Sequence, residues 1–170
     1  MEVHDAIMTK RAVRQFRLEP LPEEVVLAIL NAGRRSQSSK NSQTWQFIAI
    51  RNRQVLMGLS TCGEWASHLA GAALGVAILT PDPAARFQIL FDAGQSAAYM
   101  QLAAWELGVG SCMATIYQHE QARAVLGFPQ EMHLHFAISF GFPLDAAVIT
   151  APPKKGGRLE LNDVVHWDKW

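Results

Sequence analysis

The sequence predicts an α+β fold in a single domain, 1–170, and three features of its apolar patterning predict it. A strongly amphipathic helix covers 22–32, and a longer helix rich in small residues covers 87–107. Short apolar runs at 45–50, 72–80, 111–116 and 132–141 read as strands, the last with clear alternation. A chain of 170 residues is long enough to bury about two-thirds of its unfolded surface in one core, so neither a second domain nor a staple is required.

Taken in order, the chain opens with a short helix at 5–10 that Asp5 can cap. Three cations follow within five positions, Lys10, Arg11 and Arg14. Such a turn is either a solvated basic face or a grip for a phosphate dianion, because the planar guanidinium holds phosphate oxygens in pairs. The helix over 22–32 has Pro22 in its first turn, Glu23 and Glu24 at its positive end, an apolar face of Val25, Val26, Ile29 and Leu30, and Gly33 to stop it. Between it and the run ending at Ile50 lies a polar elbow, Ser36 to Trp45. Its hydroxyls and carboxamides offer donors and acceptors without the desolvation cost of charge, which suits either a plain turn or the holding of a large polar ligand. A basic turn, Arg51-Asn52-Arg53, leads to a short helix reaching Leu59, and the buried strand over 72–80 stops at Pro81-Asp82-Pro83.

The helix over 87–107 is apolar nearly all round and reads as core and as a seam for a second copy. It ends in Gly108-Val109-Gly110, but a helix precedes these glycines and a strand follows them, the reverse of the dinucleotide-binding order. A small helix at 118–126 ends at Gly127-Phe128-Pro129. On the following strand His133 and His135 share one face; without a third ligand at metal spacing they are expected to face solvent, and no metal is expected. The tail carries Trp167 and Trp170, aromatic side chains expected to dock on a second subunit.

Lys plus Arg and Asp plus Glu balance at 15 each, which argues against nucleic-acid or anionic-membrane binding. No run approaches a membrane span or a signal-peptide core, so the expectation is a cytoplasmic protein. Cys62 and Cys112 form no spaced framework; reduced thiols are the simpler reading, and a disulfide between them stays open. A hydrophobic content of 49% with 18% charged residues points to surface covered by a partner, most simply in a homodimer.

Two stretches carry a resemblance. Ser38-Ser39-Lys40-Asn41-Ser42-Gln43-Thr44-Trp45 and Lys10-Arg11-Ala12-Val13-Arg14-Gln15-Phe16 look like the signatures of the nitroreductase family of flavin mononucleotide (FMN) oxidoreductases. Weaker echoes at 92–112, Gly141-Phe142-Pro143 and Gly157-Arg158-Leu159 follow in the family's order. Thr44 and Gln37 stand where the family usually has Pro, and Ala12 where it has Ser. The resemblance implies a central, mainly antiparallel sheet flanked by helices, in a domain-exchanged homodimer with each C-terminal tail on its partner. It implies FMN as cofactor, NADH or NADPH as reductant, and a small-molecule acceptor such as a nitroaromatic or quinone reduced in a ping-pong reaction through flavin N5. Lys10, Arg11, Ala12 and Arg14, with Arg158 and Lys155 from late in the chain, would hold the phosphate and ring edge. Gln37, Ser38, Ser39 and Asn41 would reach the other subunit's flavin, and the backbone of Met113, Ala114 and Thr115 would face the ring. No side chain is expected to act as an essential acid or base, with His68 and His119 the ones to test. The alternatives are a flavin-binding regulatory protein without turnover, or a specialised relative: a dehalogenase, a flavin-consuming synthase or a cyclic-peptide dehydrogenase. The short stretch between the 72–80 strand and the long helix leaves little room for a lid and favours a promiscuous reductase.

Overall fold

In the computed structural model, which describes residues 1–152 and 157–170, four strands form one sheet. They are β1 (Gln46–Ile50), β2 (Leu74–Thr80), β3 (Gly110–Thr115) and β4 (His133–Gly141), in the order β1-β2-β4-β3, with every pairing antiparallel. The helices are α1 (Val3–Thr9), α2 (Glu23–Arg34), α3 (Arg53–Ser60), α4 (Gln88–Glu106), α5 (His119–Leu126) and the short α6 (Ala147–Thr150) and α7 (Leu161–Val164). The mixed, mainly antiparallel α+β architecture is the one expected. The antiparallel pairing of β3 after Gly108-Val109-Gly110 agrees with rejecting a dinucleotide-binding turn.

Strand alternation sends successive side chains to opposite faces, and here both faces are covered. Val76, Ile78, Ile138 and Phe140 meet α2 and α4, whereas Ala77, Leu79, Leu134 and Ala137 meet residues of α3 and α5. That double burial is why all seven residues of β2 are buried and why it reads as a continuous apolar run. Asn52 fixes the start of α3, its Oδ1 accepting from the backbone N–H of Gln54 (2.9 Å) and Val55 (3.2 Å). Asp5, expected to cap the first helix, lies inside α1, and its side chain makes no cap there.

Gly33 does not stop α2, which continues to Arg34. A Cβ at Gly33 would sit 2.1 Å from Met100 Cε and 3.1 Å from Ser96 Oγ, so the glycine lets α2 and α4 cross closely. The same contact turns the Gly33 carbonyl into the acceptor for Ser36 Oγ (2.9 Å) and Ser96 Oγ (3.1 Å). From its sequence position alone, a glycine three residues before Ser36 resembles a terminator; its role is packing between two helices.

The helix α4 buries one face only. Ile89, Ala93, Ala97, Met100 and Ala104 enter the core, while Phe87 and Phe91 on the opposite side are 80% and 70% exposed. Trp167 and Trp170 are 80% and 100% exposed, so the aromatic tail does not dock on its own domain. The two cysteines are both free and buried. Among the described residues no helix is long and apolar enough to cross a membrane.

One irregularity shapes the end of the sheet. Ile78 pairs with Phe136 but Leu79 pairs with Leu134, so a bulge leaves His135 as the extra residue of β4. His135 stacks on His133 at 6.3 Å and meets His119 edge-on at 5.2 Å. His133 and His135 are therefore half-buried in an imidazole trio rather than solvent-facing.

The α2–α4 crossing gives a direct test. Gly33→Ala should lower stability by about 1–3 kcal/mol through overpacking, whereas Gly94→Ala, where a Cβ meets nothing within 4 Å, should raise it by up to about 1 kcal/mol. Thermal unfolding of both variants checks this, and equal midpoints would show that the crossing is not tight.

Candidate cofactor site

The cations of the N-terminal turn are placed by backbone pairing. Residues 12–17 run along the outer edge of β3 and the chain after β4: Val13 N–H donates to Ser111 O (2.9 Å), Arg17 N–H to Phe142 O (2.9 Å), and Leu144 N–H to Gln15 O (3.0 Å). Val13 and Phe16 point inward and are buried, so Ala12 and Arg14 point outward. The pairing requires Gly110 and Gly141, because a Cβ there would lie 2.7 Å from Val13 Cβ and 2.9 Å from Phe16. Ser111 turns its carbonyl to the outer edge, so by antiparallel alternation the N–H and C=O groups of Met113 and Thr115 also lie on that edge, whereas those of Ala114 point to β4.

Arg11 behaves differently from Arg14. Its guanidinium donates to Thr9 O (3.1 Å), Ala151 O (2.7 Å) and Pro152 O (3.2 Å), which ties the C-terminal segment to the turn. Arg158 is exposed and donates to Gly157 O (3.0 Å). Lys155 lies outside the described residues. Lys10 is half-buried, and desolvation holds its ammonium below the usual lysine range, with Cys112 opposing that shift. Burial pushes the Cys112 thiol up, opposed by Arg14 and Lys10. Lys10, Arg14 and Cys112 thus share one electrostatic neighbourhood beside β3.

The elbow is placed elsewhere. Ser39 N–H donates to Asp92 Oδ2 of α4 (2.9 Å), and Gln43 N–H to Ser38 Oγ (3.0 Å). Its backbone is strained, with φ of 53°, 53° and 46° at Lys40, Asn41 and Gln43. Thr44, in place of the usual Pro, leaves its hydroxyl without a partner and out of solvent. Gln37, Ser38 and Ser39 line a cleft of about 630 Å³ with Phe91, Asp92 and Gln95. Ala12, Arg14 and Gln15 line a different cleft, of about 390 Å³, with Pro143, Leu144 and Val148. The two groups of sequence-predicted residues therefore line separate clefts of one chain, with Asn41 exposed within the elbow.

Beneath β3 lies a group of which sequence reasoning flagged only His68 as a position to test. His68 is buried and its Nδ1 sits 2.7 Å from Ser139 Oγ, which in turn donates to Cys112 O (3.3 Å). Which of His68 Nδ1 and Ser139 Oγ donates follows from the imidazole tautomer. Burial, and then the charge of Arg14, hold the imidazole below the ordinary histidine range, partly offset by the Met113 backbone. No sequence signal links His68, Ser139 and Cys112, which come together only through the β3–β4 pairing. His119 Nδ1–H donates to Leu134 O (2.9 Å), a structural bond. Among the described residues no group of three or more His, Cys, Asp or Glu is placed to hold a metal ion.

These depressed histidines set a pH dependence. The unfolded chain binds a proton near pH 6.5, whereas folded His68 and His135 resist it, so their contribution is present above that pH and is lost as pH falls towards the folded values. The thermal midpoint should drop between pH 7.5 and 5, and His68→Asn should flatten part of that slope. An unchanged slope would mean that His68 does not carry it.

The profile of the nitroreductase family matches residues 7–61 and 60–142. A protein of Archaeoglobus fulgidus provisionally named NADH dehydrogenase/NAD(P)H nitroreductase is 26% identical over 96% of this chain and 96% of its own. A protein of the same name from Methanothermobacter thermautotrophicus is 24% identical over 100% of this chain and 88% of its own. The structure of an FMN-dependent nitroreductase from Clostridium difficile superposes with a TM-score of 0.87, covering 98% of this chain and 99% of its own at 25% identity.

Proposed function

The chain belongs to the nitroreductase family, and on that premise we propose that it is an FMN-dependent oxidoreductase using NADH or NADPH to reduce a small oxidised acceptor. When bound, FMN would supply the redox chemistry that links the nicotinamide to the acceptor. The single observation that carries the reading is the juxtaposition of Lys10 and Arg14, both close enough to act on Cys112, with the outer backbone edge of β3. Those cations fit a phosphate, and edge amides fit the polar rim of a flat heterocycle, without burying an unpaired charge.

Within this reading the residues divide the work. Arg14, exposed beside β3, offers its fork to the phosphate. Arg11 positions the C-terminal segment through Ala151 and Pro152; Arg158, later in that segment and exposed, is a further phosphate candidate, and Lys155 lies outside the described residues. Ala12 contributes backbone alone, having no hydroxyl. Met113 and Thr115 orient the ring, while Ala114, buried with its peptide groups paired to β4, supports them from behind. Gln37, Ser38, Ser39 and Asn41, in a separate cleft, complete the site of a second subunit. The exposed Phe87, Phe91, Trp167 and Trp170 supply apolar surface for that homodimer. No side chain serves as an essential acid or base.

The protein should purify yellow or turn yellow with FMN, and anaerobic NADH or NADPH should bleach it; FMN that binds but never bleaches would favour a regulatory flavin binder. Arg14→Ala, losing a charged hydrogen bond, should weaken FMN about tenfold to a hundredfold, measured by flavin fluorescence, and an unchanged affinity would remove Arg14 from the site. Ending the chain after Asn162 should shift sedimentation towards a monomer and release FMN together. A flavin-loaded monomer would defeat the shared-site reading.

A further inference from the structure

We propose that residues 145–152, which include α6, form a movable wall of the cleft that Arg14 lines, and that Arg11 is its clasp: a positioning residue that shuts this wall and does not itself hold the phosphate. That the cleft receives the FMN phosphate rests on the reading above; the clasp rests on the geometry around Arg11.

The wall is attached at its base and at one further point. As far as Leu144 the chain is paired to residues 15–17, Arg17 N–H donating to Phe142 O (2.9 Å) and Leu144 N–H to Gln15 O (3.0 Å). From 145 onwards the bonds turn local: Ala147 N–H donates to Asp145 Oδ1 (3.0 Å), Val148 N–H to Asp145 O (3.3 Å) and Ala151 N–H to Ala147 O (2.9 Å). Among the described residues, the only hydrogen bonds that tie 145–152 to the rest of the chain are the two from Arg11 Nη2, to Ala151 O (2.7 Å) and Pro152 O (3.2 Å). Apolar contact adds little, since Val148 and Ile149 are only partly buried against the small cluster that contains Val13, Phe16 and Trp105. A helix of four residues with none fully buried does not hold itself in place, because short helices draw their stability from packing. Segments with so few buried contacts are the first to open.

The clasp itself is firmly based. Arg11 Nε–H donates to Thr9 O (3.1 Å), and Thr9 Oγ1 accepts from Nε1 of Trp105 (3.0 Å), which is wholly buried in α4. A guanidinium carries five N–H donors in a rigid plane, and the three accounted for here all go to main-chain carbonyls. Nε and Nη2 make up one edge of the planar fork, an edge that grips an oxyanion in pairs when it is free. In Arg11 that edge is committed to the wall. Arg14, by contrast, makes no hydrogen bond among the described residues and lines the cleft.

Closing the wall matters because of what it carries. Leu144, Asp145 and Val148 line the cleft of about 390 Å³ together with Arg14. Asp145 is the group there that an anion would avoid, and its Oδ1 is engaged by Ala147 N–H at the start of α6, so the turn that forms the wall also ties down the carboxylate. An open wall withdraws contact from any part of a ligand in the cleft, charged or not. Arg11 therefore acts on the retention of the whole flavin, whereas Arg14 acts on its phosphate.

The test is amide hydrogen exchange, read by mass spectrometry on the full-length protein with and without added FMN, for wild type, Arg11→Ala, Arg11→Lys and Arg14→Ala. Arg11→Lys keeps the charge and loses the fork. Amides of 147–151 should exchange about tenfold faster in both Arg11 variants, the effect of losing a charged hydrogen bond, and at the wild-type rate in Arg14→Ala. Flavin affinity gives the second readout. Arg11→Ala should weaken FMN and riboflavin, which lacks the phosphate, by the same factor of about threefold to tenfold, whereas Arg14→Ala should erase the preference for FMN over riboflavin. Unchanged exchange at 147–151 in the Arg11 variants overturns the proposal, and Arg11→Lys decides the matter if the alanine variant does not fold. A loss in Arg11→Ala that falls on FMN alone also overturns it, because Arg11 would then hold the phosphate. Wild-type protein that binds no FMN would sink the cofactor reading, on which the exchange rates do not depend.

Discussion

The candidate site depends on a steric constraint: two peptide chains can lie side by side at the edge of β3 only where no Cβ stands between them. Gly110 and Gly141 meet that condition opposite Val13 and Phe16. Once the backbone hydrogen bonds to Ser111 and Phe142 are made, strand alternation decides the rest. Val13 is sent into the core, and Arg14 is sent outward beside β3, near Cys112. Cation placement here is thus a consequence of main-chain geometry, and the zero net charge of the whole chain says nothing against a local cationic grip.

A single copy of the chain leaves this arrangement unfinished. The elbow and the cationic turn line different clefts, and α4 carries an apolar outer face that includes Phe87 and Phe91. An aromatic tail with Trp170 wholly exposed adds to the unburied surface. Each of these would be costly if left in water, since burying one large apolar side chain contributes about 1.5–3 kcal/mol. In the proposed homodimer a second copy would cover α4 and receive the tail, relieving these exposures, and would bring an elbow to each cationic turn.

What was legible in the sequence was whatever rests on local periodicity and local chemistry. The amphipathic face of α2, the apolar run of β2 and the Arg51-Asn52-Arg53 turn into α3 all follow from short-range pattern, and Asn52 caps as its side chain suggests. Contacts between distant segments were not legible. Gly33 looks like a terminator until Met100 is seen against it, and His135 looks solvent-facing until the bulge turns it onto His119 and His133. The pairing of His68 with Ser139 and the engagement of Arg11 with Ala151 and Pro152 join residues 71 and 140 or more positions apart. Family signatures located the elbow and the cationic turn as stretches, but not that one chain keeps them apart.

The elbow's strain shows how far α4 governs the function. Left-handed backbone costs roughly 1–2 kcal/mol at a residue such as Lys40 or Gln43, and the family's flanking prolines, which would stiffen the loop, are replaced by Gln37 and Thr44. Two bonds offset this cost: Gln43 N–H to Ser38 Oγ within the loop, and Ser39 N–H to the buried carboxyl of Asp92. The second ties the elbow to α4, as Ser36 Oγ to Gly33 O ties its start to α2. Two residues further along the same helix, Gly94 lines an apolar cleft with Met113. Because Gly33 lets α4 approach α2 closely, that one helix crossing helps to set where α4 holds Ser39, and with it the elbow.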